Sequence, residues 1–299
     1  MSGAPTQTAA ARVWALVRRG VGDFLDDDPL EMAAAVSYYT LLALAPLLLV
    51  VLSIAGMVFG REAVEGRLVS EIGGLLGEQG AQAIKFVIQD AGASDKSRLS
   101  LAIGLLMLLV GASGVFLQLQ SALNRIWGVE AAPRRGALWR FLRHRLVSMA
   151  MVFGIGFLLL VSLVISAALS TINTHYQSLL PWVLAWQGIN ALGSLLVITL
   201  LNAMIFRFLP DVRLAWRDVW LGAFITAVLF TLGKSMIGAY LGRASIGSSY
   251  GAAGSLVVLV VWVYYASLIF FVGAEITRVY GRWREKRIRP TEDAVVAER

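Results

Sequence analysis

The sequence predicts an all-α fold: a polytopic membrane helical bundle of six transmembrane helices, both termini cytoplasmic, with amphipathic interfacial helices beside it. Three observations predict it. Of 299 residues, 58% are hydrophobic, against about 45–50% in a soluble chain. The excess is gathered in blocks of about twenty residues or more, long enough as helix to cross ~30 Å of hydrocarbon. Lys and Arg are gathered in alternate segments between those blocks, the pattern that sets orientation across a membrane.

The chain divides into a cytoplasmic amphipathic segment, 1–36, a six-helix transmembrane domain, 37–280, with an outer amphipathic loop at 60–98, and a basic-then-polar cytoplasmic tail, 281–299. In the first segment, "ARVWALVRRGVGDFL" puts Val13, Trp14, Val17, Val21 and Phe24 on one helical face, with Arg12, Arg18 and Arg19 mostly off it. Such a helix lies on the inner membrane surface. In "DDDPLE", Asp28 is placed to cap a helix, Pro29 suits its first position and Glu31 follows three residues after the cap. A divalent-cation site at Asp26–Asp28 is the alternative, but it leaves the order Asp-Pro-x-Glu unexplained.

The predicted spans are 37–59, 99–121, 146–170, 182–206, 218–240 and 252–277. The first begins at Ser37, deeper than a cleavable signal peptide reaches. Loop 121–145 carries Arg125, Arg134, Arg135, Arg140, Arg143 and Arg145 against Glu130. Loop 207–217 carries Arg207, Arg213 and Arg217, and the tail carries Arg278, Arg282, Arg284, Lys286, Arg287 and Arg289. Loop 171–181 has no Lys or Arg, and 241–251 has Arg243 alone. The basic segments therefore face the cytoplasm. This topology accounts for the net charge of +7 without a nucleic-acid partner. With no cysteine, disulfides and thiolate metal sites are excluded.

Pro46 interrupts the hydrogen bonding of the first span at the Leu42 carbonyl, which predicts a static kink or a gating hinge. In the outer loop, Val64, Leu68, Ile72 and Leu75 recur at helical spacing, and Ile84, Phe86, Val87 and Ile88 resume an apolar surface after a run of glycines. Both pieces are too short to span and read as amphipathic braces or a lid. Gly247, Gly251 and Gly254 share one helical face, which predicts close helix packing; unwound backbone at a cavity entrance is the alternative.

At helical spacing, Val261, Tyr264, Leu268, Phe271, Glu275 and Arg278 line one face of the last span. Glu275 either pairs with Arg278 at the cytoplasmic boundary or faces a polar cavity, where an intramembrane carboxylate marks a pathway. Span four carries Gln187, Asn190, Ser194 and Asn202, and Lys234 of span five is placed to snorkel outward. Tyr38, Tyr39, Asn124, Arg125, Arg207 and Glu275 fall at similar depth and predict an inner vestibule. Tyr264 and Tyr265 complete this candidate pathway.

Two stretches, "EMAAAVSYYTLLALAPLLLVVLSIAG" and "GSSYGAAGSLVVLVVWVYYASLIFFVGAEITRVY", resemble the YihY/BrkB family of bacterial inner-membrane proteins, and the likeness runs over roughly residues 10–285. Its signature is matched at Tyr38, Tyr39, Pro46, Tyr250, Gly251, Gly254, Ser255, Trp262, Tyr264, Tyr265, Gly273 and Glu275. The resemblance implies a multi-pass protein of the bacterial inner membrane. The labels "ribonuclease BN" and "virulence factor" have both been attached to this family, and lipid or envelope transport has been suggested for parts of it.

A nuclease needs clustered metal ligands or a positioned acid and base. The two histidines, His144 and His175, fall on opposite sides of the predicted membrane. No GxxxxGK[ST] phosphate loop is present. The sequence therefore predicts no enzyme, no cofactor and no metal. It predicts a transporter or flippase-like protein for a lipid or other amphiphile, linked to envelope maintenance. The alternatives are a non-transporting scaffold for envelope partners and a small-solute channel or carrier. Expected partners are membrane lipids, anionic ones first, then envelope proteins and a second copy of the chain.

Overall fold

The computed structural model describes residues 18, 20–70, 81–82, 85, 88–89, 98–131, 182–243, 254–283, 290–291 and 294–296. Five long helices lie on five of the predicted spans: α1 (Pro29–Phe59), α2 (Arg98–Trp127), α3 (Trp182–Phe208), α4 (Trp216–Arg243) and α5 (Gly254–Trp283). The predicted third span, 146–170, lies outside the described residues. The shortest of the five has 27 residues, about 40 Å at ~1.5 Å per residue. Among the described residues, Ala191–Phe208 and Leu256–Trp283 are long and apolar enough to cross a membrane, and Pro29–Leu44 is a shorter apolar stretch. Only 17% of the first is buried by the protein itself, the reverse of a soluble core helix.

Contacts divide the chain into two units. One comprises Leu30–Leu119 and Val228–Ile269. Here α1 runs unbroken through a buried Pro46 and stops at Phe59, where Gly60 takes φ 83°, the left-handed exit that glycine allows. Residues 61–70 are again helical. Of the predicted face, Val64 and Leu68 pack, together with Val69, on Leu48, Leu52 and Ile88, while Ile72 and Leu75 lie outside the described residues. The crossing of α1 and α2 is close. A Cβ on Gly111 would meet the Ala43 backbone at 3.0 Å, and one on Gly114 would meet the Tyr39 ring at 2.5 Å.

The other unit comprises Met1–Pro29, Gln120–Ala227 and Phe270–Arg299. Its buried apolar residues include Leu123, Ile126, Phe206, Val219, Ala223, Phe271 and Ala274. Two short strands depart from the all-helical prediction. β1 (Val129–Ala131) pairs antiparallel with β2 (Ala294–Val296), Val129 opposite Val296. A single bridge joins Val212 to Pro290. Residues of the predicted tail are thus hydrogen-bonded back onto the loops that follow α2 and α3.

The start of α1 differs from the predicted cap. Asp28 sits at φ 52° rather than in the extended conformation of an N-cap. Its carboxylate is taken by Arg125 at 2.5 Å. Pro29 does occupy the first helical position.

Candidate functional site

Among the described residues, the strongest concentration of buried charge lies on the last turns of α5. Arg278 is completely buried, a rare state for arginine unless it is paired. Its Nη2 donates to Glu275 Oε1 at 2.6 Å and to Asp23 Oδ2 at 3.0 Å. Its Nη1 lies 4.0 Å from the buried Asp27 carboxylate. Arg282 reaches Asp23 from the surface at 3.4 Å. Local structure explains the placement. Glu275 and Arg278 are one turn apart on α5, and the helical stretch 20–26 brings Asp23 alongside. Gly20 lets that stretch approach, since a Cβ there would come 2.9 Å from Val279. One Glu275 oxygen, Oε2, is buried without a hydrogen-bond partner among the described residues.

A second polar knot joins three segments. Asn124 Nδ2 donates to Asp211 Oδ2 at 2.9 Å, and the Asp211 amide donates back to Asn124 Oδ1 at 2.8 Å. Gln120 adds a bond to the same Oδ2 at 3.2 Å. The Thr291 amide donates to the Asp211 carbonyl at 2.9 Å.

The crossing of α4 and α5 is built from the same short sequence used twice. "GAFIT" at 222–226 and "GAEIT" at 273–277 meet antiparallel, each glycine opposite the other's threonine. A Cβ on Gly222 would overlap Thr277 Oγ1, and one on Gly273 would overlap Thr226 Oγ1. Each hydroxyl is turned onto its own helix, Thr226 donating to the Gly222 carbonyl and Thr277 to that of Gly273. Ala223 and Ala274 are fully buried. Small residues of this kind let membrane helices approach closely.

The residues singled out in the sequence fall as follows. Asn124, Arg125, Arg207 and Glu275 belong to the second-described unit, each with its own partner. Asn124 holds Asp211, Arg125 holds Asp28, and Glu275 holds Arg278. Arg207 donates to the Leu214 carbonyl and lies over the Trp216 ring, 4.9 Å from its centroid. Tyr38, Tyr39, Tyr264 and Tyr265 belong to the first-described unit. Tyr38 and Tyr39 stack edge-on at 5.6 Å, with Tyr38 60% exposed. Tyr264 is half-buried, and the Tyr265 ring packs where Gly233 leaves room. Gly247 and Gly251 lie outside the described residues, and of Gly254 only its place as the first residue of α5 is described. Asp23 and Asp211 were not singled out from sequence, and Asp27 was read only within the acidic run Asp26–Asp28 and not as a neighbour of Arg278, because nothing in their local patterns names partners so distant along the chain. The repeated Gly-Ala-x-Ile-Thr was a legible signal for the α4–α5 contact.

Long apolar helices holding a buried ion cluster define the class: a helical membrane protein. The chain belongs to the family described as Virulence factor BrkB, which it matches over residues 21–297. It is 28% identical over 293 residues to a UPF0761 membrane protein of Ralstonia nicotianae, covering 95% of this chain and 62% of that one. To one of Verminephrobacter eiseniae it is 30% identical, over 82% and 57% of the two chains. To one of Vibrio vulnificus it is 29% identical, over 88% and 80%. The chain thus spans less than two thirds of the length of the first two relatives. No solved structure matches it.

Proposed function

We propose that this chain is a multi-pass protein of the bacterial inner membrane, with six spans and both termini cytoplasmic, that transports or flips a lipid or another amphiphile. The observation that carries this reading is Glu275. It lies within an apolar stretch long enough to cross a membrane, is buried by protein, and keeps one oxygen without a hydrogen-bond partner among the described residues. An ionisable side chain so placed is expensive and marks a pathway by default. The test is translocation of fluorescent phospholipids in liposomes holding the full chain, wild type beside Glu275→Gln. Translocation by wild type, lost in a folded variant, supports the reading. No translocation above protein-free liposomes overturns it.

One observation favours a second reading, a non-transporting scaffold. Arg278 is held by carboxylates from the N-terminal stretch and from its own helix, the arrangement of a fixed anchor. On that reading Glu275→Gln lowers stability and changes no flux.

A further inference from the structure

The turn from α3 into α4 carries an exposed patch whose aromatic residues belong neither to the ion cluster nor to the Asn124–Asp211 knot. Trp216, Trp220 and Phe224 recur every four residues along one face of α4, and they are 39%, 39% and 48% exposed. Phe208 extends that surface, its ring edge-on to Trp216 at 5.8 Å. Arg207 lies over both rings, which fixes the Trp216 indole in place. Every exposed charge of this turn is positive. Arg213 and Arg217 are exposed, whereas the two acids between Arg207 and Phe224, Asp211 and Asp218, are buried.

Tryptophans rimming a nonpolar face sit at the level of lipid headgroups, and arginines beside them match phosphate. Hence we infer that this turn binds an anionic phospholipid of the inner leaflet, its phosphate held by Arg213 and Arg217 and its acyl chain laid along Trp220 and Phe224. Charge complementarity selects a lipid over a second copy of this chain, whose matching face would bring the same arginines against each other. The inference rests on the inner-leaflet placement of this turn proposed above, and it names the lipid class and the site.

Native mass spectrometry of the full chain in detergent tests it, with phosphatidylglycerol and phosphatidylcholine as probes. Wild type is expected to prefer phosphatidylglycerol. Each arginine near a membrane surface contributes about a five-fold factor. Arg217→Gln should therefore cut the preference about five-fold, and Arg213→Gln with Arg217→Gln about twenty-five-fold. Arg217 lies on an exposed helix surface, so the single variant stays informative if the double one fails to fold. Trp220→Ala should weaken both lipids alike. Excess inorganic phosphate should leave phosphatidylglycerol bound. The inference is overturned by equal binding of the two lipids, by a preference that survives Arg217→Gln, by displacement with inorganic phosphate, or by a dimer that dissociates in Arg217→Gln while lipid binding is unchanged. Binding is read without translocation. A wild type that shows the preference but moves no lipid sinks the transporter reading and leaves the site standing.

Discussion

Asn124 and Asp211, 87 residues apart, exchange two hydrogen bonds, side chain to carboxylate and backbone amide to side chain. The pair fixes the turn after α3 against the end of α2, and Gln120 adds a third bond. Replacing Asp211 by Ala strips both amide side chains of their acceptor. A hydrogen bond to a charged group contributes about 1.5–3 kcal/mol, so Asp211→Ala should destabilise by about 2–3 kcal/mol in denaturant unfolding in detergent. Asp211→Asn keeps an acceptor oxygen for Asn124 and should cost about half as much. Equal losses in the two variants would show that the carboxylate acts by charge and not by these bonds.

Arg278 should behave as a buried ion whose removal is worse than removal of the whole cluster. Arg278→Ala leaves Glu275 and Asp27 buried without their cation, at a cost of about 3–5 kcal/mol. Arg278→Met combined with Glu275→Gln and Asp27→Asn removes charge from both sides and should regain most of that loss. The measurement is folded yield and unfolding midpoint for the two variants side by side. A triple variant as unstable as Arg278→Ala would refute the electrostatic account.

The Gly–Thr crossing predicts an asymmetry between two rescues. An added methyl at Gly273 meets Thr226 first, with the Gly222 carbonyl at 3.3 Å. Overpacking of this kind costs about 1–3 kcal/mol, and Thr226→Ala should relieve most of it. An added methyl at Gly222 meets Thr277 and also the Gly273 carbonyl at 2.6 Å. Backbone cannot be trimmed away, so Thr277→Ala should rescue Gly222→Ala much less. Thermal unfolding of the four variants decides it, and equal rescue at both positions would place the contact in the hydroxyls alone.

The same residues show what the sequence could and could not reveal. Apolar length located five helices well, since burial from water is written residue by residue. It placed some helix ends early: α2 runs to Trp127 and α5 to Trp283, past the predicted 121 and 277, because a helix continues after its apolar face ends. The Glu275–Arg278 contact was legible because helical spacing is local. Asp23 was not, because the Arg278 bond closes a loop of 255 residues and no local pattern encodes such a partner. Asp28 shows local logic overridden. Its order before Pro29 suits a cap, but a distant arginine, Arg125, takes the carboxylate. Strands of three residues carry no period to detect, which is why the β1–β2 pairing was missed.

That pairing yields the last prediction. Val129 is buried under the returning tail, opposite Val296, and the Thr291 amide closes onto the Asp211 carbonyl. Ending the chain after Arg289 removes β2, the Val212–Pro290 bridge and that hydrogen bond together. Loss of about 1 kcal/mol per hydrogen bond and exposure of Val129 should lower the unfolding midpoint and open the β1 segment to protease. Ending the chain after Val296 keeps all three contacts and should match wild type. Thr291→Pro isolates one of them: it deletes the donor amide and should cost about 1 kcal/mol. If both truncations behave alike, the strand pairing contributes nothing to stability, and the tail is attached to the fold only through α5.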